Sequence, residues 1–328
     1  MGELCAVTGA SGFTGGYLAR RLLADGNPVR VLVRKTEDAA RFAAEGMEVI
    51  EGDIRDVDAQ AELVEGAGVV YHIAAMFREA RFPESDYLAV NRDATVQLAE
   101  AAQAAGVRRF VHCSTIGVHG DVEEPPGDEN SPFRPGDPYQ RTKLAGEDAL
   151  LEFAADNPLE VVIVRPASIY GPGDLRLLKL FKAIHKGYWM VLGSGAAMFH
   201  LVYVEDLVEG FVRAAHADGV DSEVFIVGGG EAVSQNELAA RIARVMGVRD
   251  RFPHLPAWPF QILGSVVETI CVPLRIDPPI YRRRVDFFTK SRSFRIDKAK
   301  RMLAYEPNVS IDDGLARTFA WYRDEGLL

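Results

Sequence analysis

The sequence predicts an α/β fold in which a doubly wound parallel sheet carries a smaller C-terminal lobe. Short apolar runs alternate with longer stretches of helical periodicity through the first half of the chain. Because these runs contain few polar residues, they are typical of parallel strands that helices cover on both faces. The predicted strands are Leu4–Thr8, Val29–Val33, Glu48–Glu51, Val69–Ile73, Arg109–Ser114 and Val161–Val164.

The stretches between these strands are mostly long enough to serve as crossover helices. They are predicted over Gly15–Asp25, Asp58–Val64, Ala89–Ala105 and Tyr139–Asn157. After Pro166, Gly and Pro cluster at "YGPGD", and the region from Phe252 to Phe294 is rich in Pro, aromatic residues and Arg. The apolar run Glu223–Gly229 is nevertheless predicted to return to the main sheet. We therefore expect a first domain of residues 1–165, rejoined by about 202–228, and a lobe formed by 166–201 and 229–328.

The composition narrows the class of partner and the compartment. A net charge of -10 disfavours nucleic acid, since such a surface needs clustered Lys and Arg, and favours a small-molecule substrate. The three cysteines, Cys5, Cys113 and Cys271, suggest neither a disulfide framework nor a metal site, and the seven histidines are scattered without ligand spacing. We expect a cytoplasmic protein without a metal ion.

One apolar stretch, residues 257–274, raises the question of membrane contact. It contains Glu268 and is shorter than the roughly 20 residues that a spanning helix needs. No basic segment followed by an apolar run and a cleavage site precedes the first strand, so a secretory signal is not expected. The stretch is interpreted as a buried or interfacial helix, and no membrane span is predicted.

A glycine-rich turn follows the first predicted strand. The segment "TGASGFTG", Thr8–Gly15, places Gly9, Gly12 and Gly15 between that strand and the first helix. Backbone N–H groups and the positive end of a helix meet at such a turn, where a pyrophosphate can bind. An ordinary strand-to-helix turn is the alternative, because the spacing is one residue looser than the usual dinucleotide fingerprint.

The end of the second strand bears on which dinucleotide is bound. "VRVLVRK" ends in Arg34 and Lys35, and a cation there accommodates the 2′-phosphate of NADP, whereas an acidic residue would bind the ribose of NAD. We therefore expect NADP(H) to be preferred, with NAD(H) possible. After the third strand, Asp53 could accept from the adenine amino group and Ile54 could pack on its ring; a turn carboxylate and a core residue are the alternatives.

A candidate catalytic group begins the long helix at "DPYQRTK". Asp137 can cap this helix, and Tyr139 and Lys143 are four residues apart, so they share one face. A nearby ammonium lowers the pKa of a phenol and makes the pair a plausible proton-transfer unit. Ser114 and Thr115 end the preceding strand at the edge where doubly wound sheets bind ligands, and either hydroxyl could donate to a substrate oxygen.

In chain order, these segments resemble the extended short-chain dehydrogenase/reductase family, with its Rossmann fold. The matching pieces are "TGASGFTG", "GDIRD", "HIAA", "VNRDATVQLAEAA", "CSTIGVHG", "YQRTK", "VRPASIYGPGD" and "YVEDLVEG", spread over the first two-thirds of the chain. The resemblance implies that Thr115, Tyr139 and Lys143 are catalytic and that Lys143 also holds the nicotinamide ribose. It implies that Ala74 and Ala75 line the cofactor and that Asn91 helps to position the active-site region. The expected cofactor-binding residues are Gly9, Ser11, Gly12, Phe13, Thr14, Gly15, Arg34, Lys35, Asp53, Ile54, Ala74, Ala75, Ser114, Tyr139, Lys143 and Pro166.

Two departures favour one branch of the family. Ser168 stands where the nucleotide-sugar branch usually has an Asn, and Phe199 where that branch tends to have an Arg that grips a diphosphate. Both are therefore expected to bind substrate in a mostly apolar pocket. The segments at 255–270 and 278–307 are similar to the 3β-hydroxysteroid dehydrogenase branch, whereas Arg34 is closer to the dihydroflavonol reductase-like branch.

The leading prediction is an NAD(P)-dependent oxidoreductase that interconverts a secondary alcohol and a ketone on a steroid- or flavonoid-like ring. A nucleotide-sugar epimerase or dehydratase with tightly bound NAD is one alternative. A non-catalytic protein that senses NADP(H) is the other. A homodimer is the expected assembly, since the helices over Ala89–Ala105 and Tyr139–Asn157 pair in many relatives' dimers.

Overall fold

A computed structural model of the chain describes residues 2–77, 82–260, 262, 267 and 290–328. Its strands are β1 (Cys5–Thr8), β2 (Val29–Val33), β3 (Glu48–Glu51), β4 (Val69–His72), β5 (Arg109–Cys113), β6 (Glu160–Pro166), β7 (Ser168–Tyr170), β8 (Val191–Leu192), β9 (Met198–Tyr203), β10 (Glu223–Val227), β11 (Ala232–Ser234) and β12 (His254–Leu255).

The α-helices of the described residues lie mostly between these strands. They are α1 (Phe13–Ala24), α2 (Thr36–Ala44), α3 (Val57–Val64), α4 (Glu84–Leu88), α5 (Ala94–Ala104), α6 (Pro138–Ala155), α7 (Leu178–His185), α8 (Val204–His216), α9 (Gln235–Met246), α10 (Asp297–Leu303) and α11 (Ile311–Asp324). A π-helix over Ala89–Asp93 precedes α5, and a 3₁₀-helix over Ile116–His119 follows β5.

Seven parallel strands form the main sheet in the order β10-β6-β5-β4-β1-β2-β3. Side chains alternate between its faces: Cys5 and Val7 join one apolar core with α1 and α8, whereas Ala6 joins a second core with α3, α5 and α6. The predicted doubly wound sheet is confirmed. So is the return of the chain at 223–229, because β10 pairs with β6.

A second group of elements is here called the C-terminal lobe. It contains β7, β8, β9, β11, β12, α7, α9 and α11 and has its own small sheets and apolar core. In the first sheet β9 lies between β7, which is parallel to it, and β11, which is antiparallel; β8 pairs with β12 in the second. Phe181 of α7, Leu238 of α9 and Leu315 of α11 share the lobe's apolar core. The boundaries predicted for the two domains stay a prediction.

The sequence predicted one helix over Ala89–Ala105, and this was wrong in its first turn. The π-helix places Asn91 in the interior, and the Thr95 hydroxyl donates to the Asn91 carbonyl oxygen over 3.1 Å. A wider turn of this kind changes where a side chain points, often at functional sites. Asn91 uses that position to bind two other segments, as described below.

The long apolar stretch at 257–274 lies largely outside the described residues, which omit 261, 263–266 and 268–289. Among the helices that the structure does describe, none has both the length and the apolar character needed to cross a membrane.

Candidate active site

The glycine turn brings the end of β1 against the start of α1. Gly9 has a left-handed backbone with φ of +72°, and a Cβ there would lie 2.7 Å from the backbone nitrogen of Ala74. A Cβ on Gly15 would overlap the Gly9 carbonyl oxygen, so the helix can approach the turn only because both residues are glycine. Gly12 caps α1 without a side chain, and with Ser11 it is exposed. The turn is thus a cradle that a pyrophosphate fits.

The residues expected at the adenosine end have different surroundings. Arg34 and Lys35 are exposed immediately after β2. Asp53 accepts hydrogen bonds from Arg55, with Nε at 2.7 Å and Nη2 at 3.0 Å. These bonds lower the pKa of the Asp53 carboxyl, and the positive charge of Arg34 adds to the effect. Ile54 is buried in the core beside α3. This position agrees with the alternative interpretation of Ile54 as a core residue.

Asn91 connects the loop after β4 with the helix that carries Tyr139 and Lys143. Its side-chain Oδ1 accepts from the Met76 backbone N–H at 2.8 Å, and its side-chain Nδ2 donates to the Met76 carbonyl oxygen at 3.1 Å and to the Thr142 hydroxyl at 3.0 Å. Ala74 and Ala75, expected to line the cofactor, lie in this same loop. One buried side chain therefore positions both the predicted cofactor wall and the catalytic helix.

The catalytic candidates lie on α6 and at the end of β5. The Asp137 carboxylate accepts from the Gln140 backbone N–H at 2.9 Å and Pro138 occupies the first turn, as the sequence predicted. Tyr139 is half-buried, with its ring 4.6 Å from that of Phe77. Thr115 caps the 3₁₀-helix, and its hydroxyl oxygen accepts from the Gly117 N–H at 3.0 Å.

The 3₁₀-helix that begins after Thr115 packs directly on the first turn of α6. A Cβ on Gly117 would lie 3.1 Å from the Thr115 hydroxyl oxygen and 3.2 Å from Cγ of Gln140, the residue after Tyr139. Because a larger side chain at 117 would separate these elements, Gly117 permits their close approach. The structure thereby places Thr115 beside the start of the helix that carries Tyr139 and Lys143.

Lys143 is fully buried, and its ammonium nitrogen lies 2.9 Å from Nε2 of His112. Burial lowers the pKa of Lys143 from 10.5 to about 8, although the nearby Cys113 and Glu147 oppose that change. His112 is stacked on His72 with the ring centroids 5.2 Å apart. Burial, followed by the charge of Lys143, lowers the pKa of both histidines, so both are neutral at pH 7 and His112 can accept from the ammonium.

This lowered pKa predicts a pH dependence of stability. Between pH 8 and 10.5 the folded protein loses the Lys143 proton while the unfolded chain keeps it, so the free energy of unfolding rises with pH. We expect wild type to gain about 2 kcal/mol relative to Lys143→Met between pH 7 and pH 9.5. Urea denaturation of both proteins across this range measures the gain. Lys186→Met, at an exposed position, is the control, and a flat difference would contradict the prediction.

The sequence interpretation missed a buried ionic network next to Lys143. Glu147 and Arg165 are almost fully buried, and Arg165 Nε lies 3.1 Å from each carboxylate oxygen of Glu147. Arg165 also lies 3.1 Å from Nε2 of His119. The Ser114 hydroxyl donates to Glu147, so this hydroxyl, expected at the cofactor or substrate, serves the network. Two features of the sequence could have indicated this network. Glu147 and Arg165 each place a charge in an apolar segment, and Glu147 follows Lys143 by four residues.

The two residues predicted to bind substrate lie on one small cavity. Ser168 begins β7 and Phe199 lies on β9, the strand beside it. Their cavity, of ≈ 40 Å³, is otherwise lined by four leucines, Ala239, Trp189 and Gln235. Pro166, predicted to contact the cofactor, ends β6 just before this group and is buried.

Comparison with known proteins adds two relatives and a solved structure. UDP-glucose 4-epimerase of Mycolicibacterium smegmatis is 32% identical over 97% of this chain and 98% of its own length. A 3 beta-hydroxysteroid dehydrogenase/Delta 5-->4-isomerase of Mycobacterium tuberculosis is 30% identical over 96% of this chain and 89% of its own. The structure of MoeE5 in complex with UDP-glucose and NAD has a TM-score of 0.76 at 27% identity, and the match covers 99% of each chain.

The seven-stranded parallel sheet, the glycine turn and the Tyr139–Lys143 helix define a protein of the extended short-chain dehydrogenase/reductase class. The chain belongs to the NAD dependent epimerase/dehydratase family, whose model matches residues 5–228. The family predicted from the sequence motifs is therefore confirmed.

Proposed function

We propose that this protein is an oxidoreductase that interconverts a secondary alcohol and a ketone on a mostly apolar ring, steroid- or flavonoid-like, with NADP(H) preferred over NAD(H). The observation that carries the proposal is the apolar cavity around Ser168 and Phe199, because none of the described residues that line it is cationic. A nucleotide-sugar diphosphate needs charge-assisted hydrogen bonds that leucine and phenylalanine side chains do not provide. The 30% identity to a 3 beta-hydroxysteroid dehydrogenase supports the same substrate class.

The residues present fit a dinucleotide. The cradle formed by Gly9, Gly12 and Gly15 would hold its pyrophosphate at the start of α1, and Arg34 would face a 2′-phosphate. When bound, the dinucleotide supplies hydride transfer to or from its nicotinamide ring. The loop containing Ala74 and Ala75 contacts Gly9 through its backbone, so it lies beside the cradle and would line the cofactor.

The protein's own groups would handle the proton. Tyr139 would exchange a proton with the substrate oxygen, and the Lys143 ammonium would favour the phenolate and hold the nicotinamide ribose. Thr115 would polarise the same oxygen, since the Gly117 N–H fixes the position of its hydroxyl. His112 Nε2 lies 2.9 Å from the Lys143 ammonium nitrogen in the interior. This contact holds the cation on the face of α6 that also carries Tyr139.

Nucleotide-sugar epimerisation is the second candidate, favoured by the 32% identity to a UDP-glucose 4-epimerase. Both candidates would use Thr115, Tyr139 and Lys143, so these residues do not separate them. The fate of the cofactor does, because an epimerase keeps its NAD and returns it unchanged within each cycle, whereas a dehydrogenase releases it altered.

The test is a fluorescence titration with NADPH and NADH, followed by turnover assays with steroid, flavonoid and sugar-nucleotide substrates. We expect net oxidation or reduction of added cofactor with a steroid or flavonoid ring. Co-purified NAD with saturable UDP- or dTDP-sugar binding would overturn the proposal in favour of the epimerase. Binding of NADP(H) without turnover of any compound would point to the non-catalytic sensor.

The cofactor preference predicts an effect at Arg34. Replacing it by Gln removes the charge that would bind the 2′-phosphate, and hydrogen bonds to charged groups contribute roughly 1.5–3 kcal/mol. We therefore expect Arg34→Gln to weaken NADPH binding at least ~10-fold and to change NADH binding little. Arg41→Gln, on the exposed side of α2, is the matched control. Equal affinity of the wild-type protein for NADPH and NADH would contradict the preference.

A further inference from the structure

One buried side chain in the C-terminal lobe has no polar partner among the residues that the structure describes. Gln235 is the first residue of α9 and is 3% exposed, and neither its amide oxygen nor its amide nitrogen makes a hydrogen bond within the described chain. Leaving such groups unsatisfied in the interior opposes folding, so an orphaned buried amide needs a physical explanation.

The start of α9 does not require this glutamine. Ser234 caps the helix, and its side chain and that of Glu237 form a reciprocal capping box. The backbone N–H of Gln235 donates to the Ala197 carbonyl oxygen at 3.0 Å. The helix start is thus stabilised by neighbouring groups, and the Gln235 side chain is left to line the cavity that Ser168 and Phe199 share.

The cavity takes one functional group and excludes charge. Its volume of ≈ 40 Å³ exceeds the roughly 10–15 Å³ needed for one water molecule but is far below a drug-sized pocket. Its lining includes no Lys, Arg, Asp or Glu from the described part of the chain, so a phosphate or carboxylate would find no charged partner among these residues. An amide both donates and accepts, which suits a neutral carbonyl or hydroxyl oxygen.

We propose that Gln235 binds a second oxygen of the substrate, a ketone or hydroxyl separate from the oxygen at the reacting carbon. The lining residues belong to the C-terminal lobe, whereas Tyr139 and Thr115 lie on α6 and at the end of β5. This specificity role rests on the proposed alcohol–ketone activity. The substrate is then a ring compound with oxygen functions at two places, one for chemistry and one for recognition.

The test compares a 3β-hydroxysteroid that carries a ketone at C17 with its 17-deoxy counterpart. We expect wild type to prefer the ketone at least ~10-fold in kcat/KM, and Gln235→Met to reduce that preference to about threefold or less. The loss should fall mainly on the ketone, so kcat/KM for the deoxy compound should change less than kcat/KM for the ketone. Leu180→Met, which alters the cavity wall without changing its polarity, should keep the preference.

The outcomes separate the two proposals. Turnover of both steroids with the same preference in wild type and Gln235→Met overturns the role of Gln235 alone, as does the absence of any preference in wild type. Such results would mean that the amide only holds a buried water molecule. Failure of wild type to turn over either steroid with NADP or NAD overturns the steroid-like substrate class, and the Gln235 subsite with it.

Discussion

Tyr139→Phe should lower kcat at least ~100-fold, the low end of the range for general acid–base catalysis. The phenol is the group that would exchange a proton with the substrate oxygen, and no water molecule would be equally well oriented. The substitution keeps the aromatic ring, which lies 4.6 Å from the ring of Phe77, so the fold and the start of α6 should persist.

The measurement is single-turnover kinetics with saturating cofactor, together with the dissociation constant for NADPH. The expected pattern is a large loss in the chemical step and a small change in cofactor affinity, because the variant leaves untouched the glycine cradle and Arg34, which we propose to bind the cofactor. Tyr188→Phe, at an exposed tyrosine in the C-terminal lobe, controls for removal of a phenol elsewhere. An unchanged rate in Tyr139→Phe would remove this residue from the mechanism.

Glu147→Leu should destabilise the protein by about 3–5 kcal/mol, the usual cost of breaking a buried ion pair from one side. Arg165 would keep its charge in the interior without its ion-pair partner, and its remaining hydrogen bonds are to neutral groups, the His119 ring and the Glu129 carbonyl oxygen. The Ser114 hydroxyl would also lose its acceptor, and Ser114 directly precedes Thr115. A lower kcat should therefore accompany the loss of stability.

Urea denaturation of the cofactor-free protein measures this effect. The double variant Glu147→Leu/Arg165→Met should recover much of the stability, because it leaves no orphaned charge. Glu45→Ala, which breaks the more exposed pair with Arg20, is the matched control and should cost less than about 1 kcal/mol. A loss of that small size in Glu147→Leu would show that the buried pair is dispensable.

The sequence predicted best where a function depends on a short segment. Gly9, Gly12 and Gly15 form their turn within eight residues, and Tyr139 and Lys143 share a face because the helix repeat places them there. The strands followed from continuous apolar runs for the same reason, since burial on both faces acts on each run separately.

The contacts that the sequence did not reveal depend on pairings between distant segments. Glu147 and Arg165 are 18 residues apart and meet only because α6 packs on β6. Ser114 was expected to face a ligand, yet its hydroxyl donates to that pair. Gln235 directly follows β11 and reaches the cavity of Ser168, on β7, only because both strands pair with β9 in the small sheet. No local periodicity encodes such meetings.

The three glycines of the turn also differ in what their retention during evolution would signify. A side chain at Gly9 would collide with the Ala74 backbone, and one at Gly15 with the Gly9 carbonyl, before any ligand is bound. Gly12 has an ordinary φ of -82°, and its Cβ would meet only the Gly9 oxygen at 3.2 Å. A descendant that had lost the dinucleotide would still need the outer two glycines for folding, whereas the middle one could be replaced after the Gly9 carbonyl shifted by a few tenths of an ångström. Its replacement is therefore the informative mark of a lineage that has abandoned the cofactor.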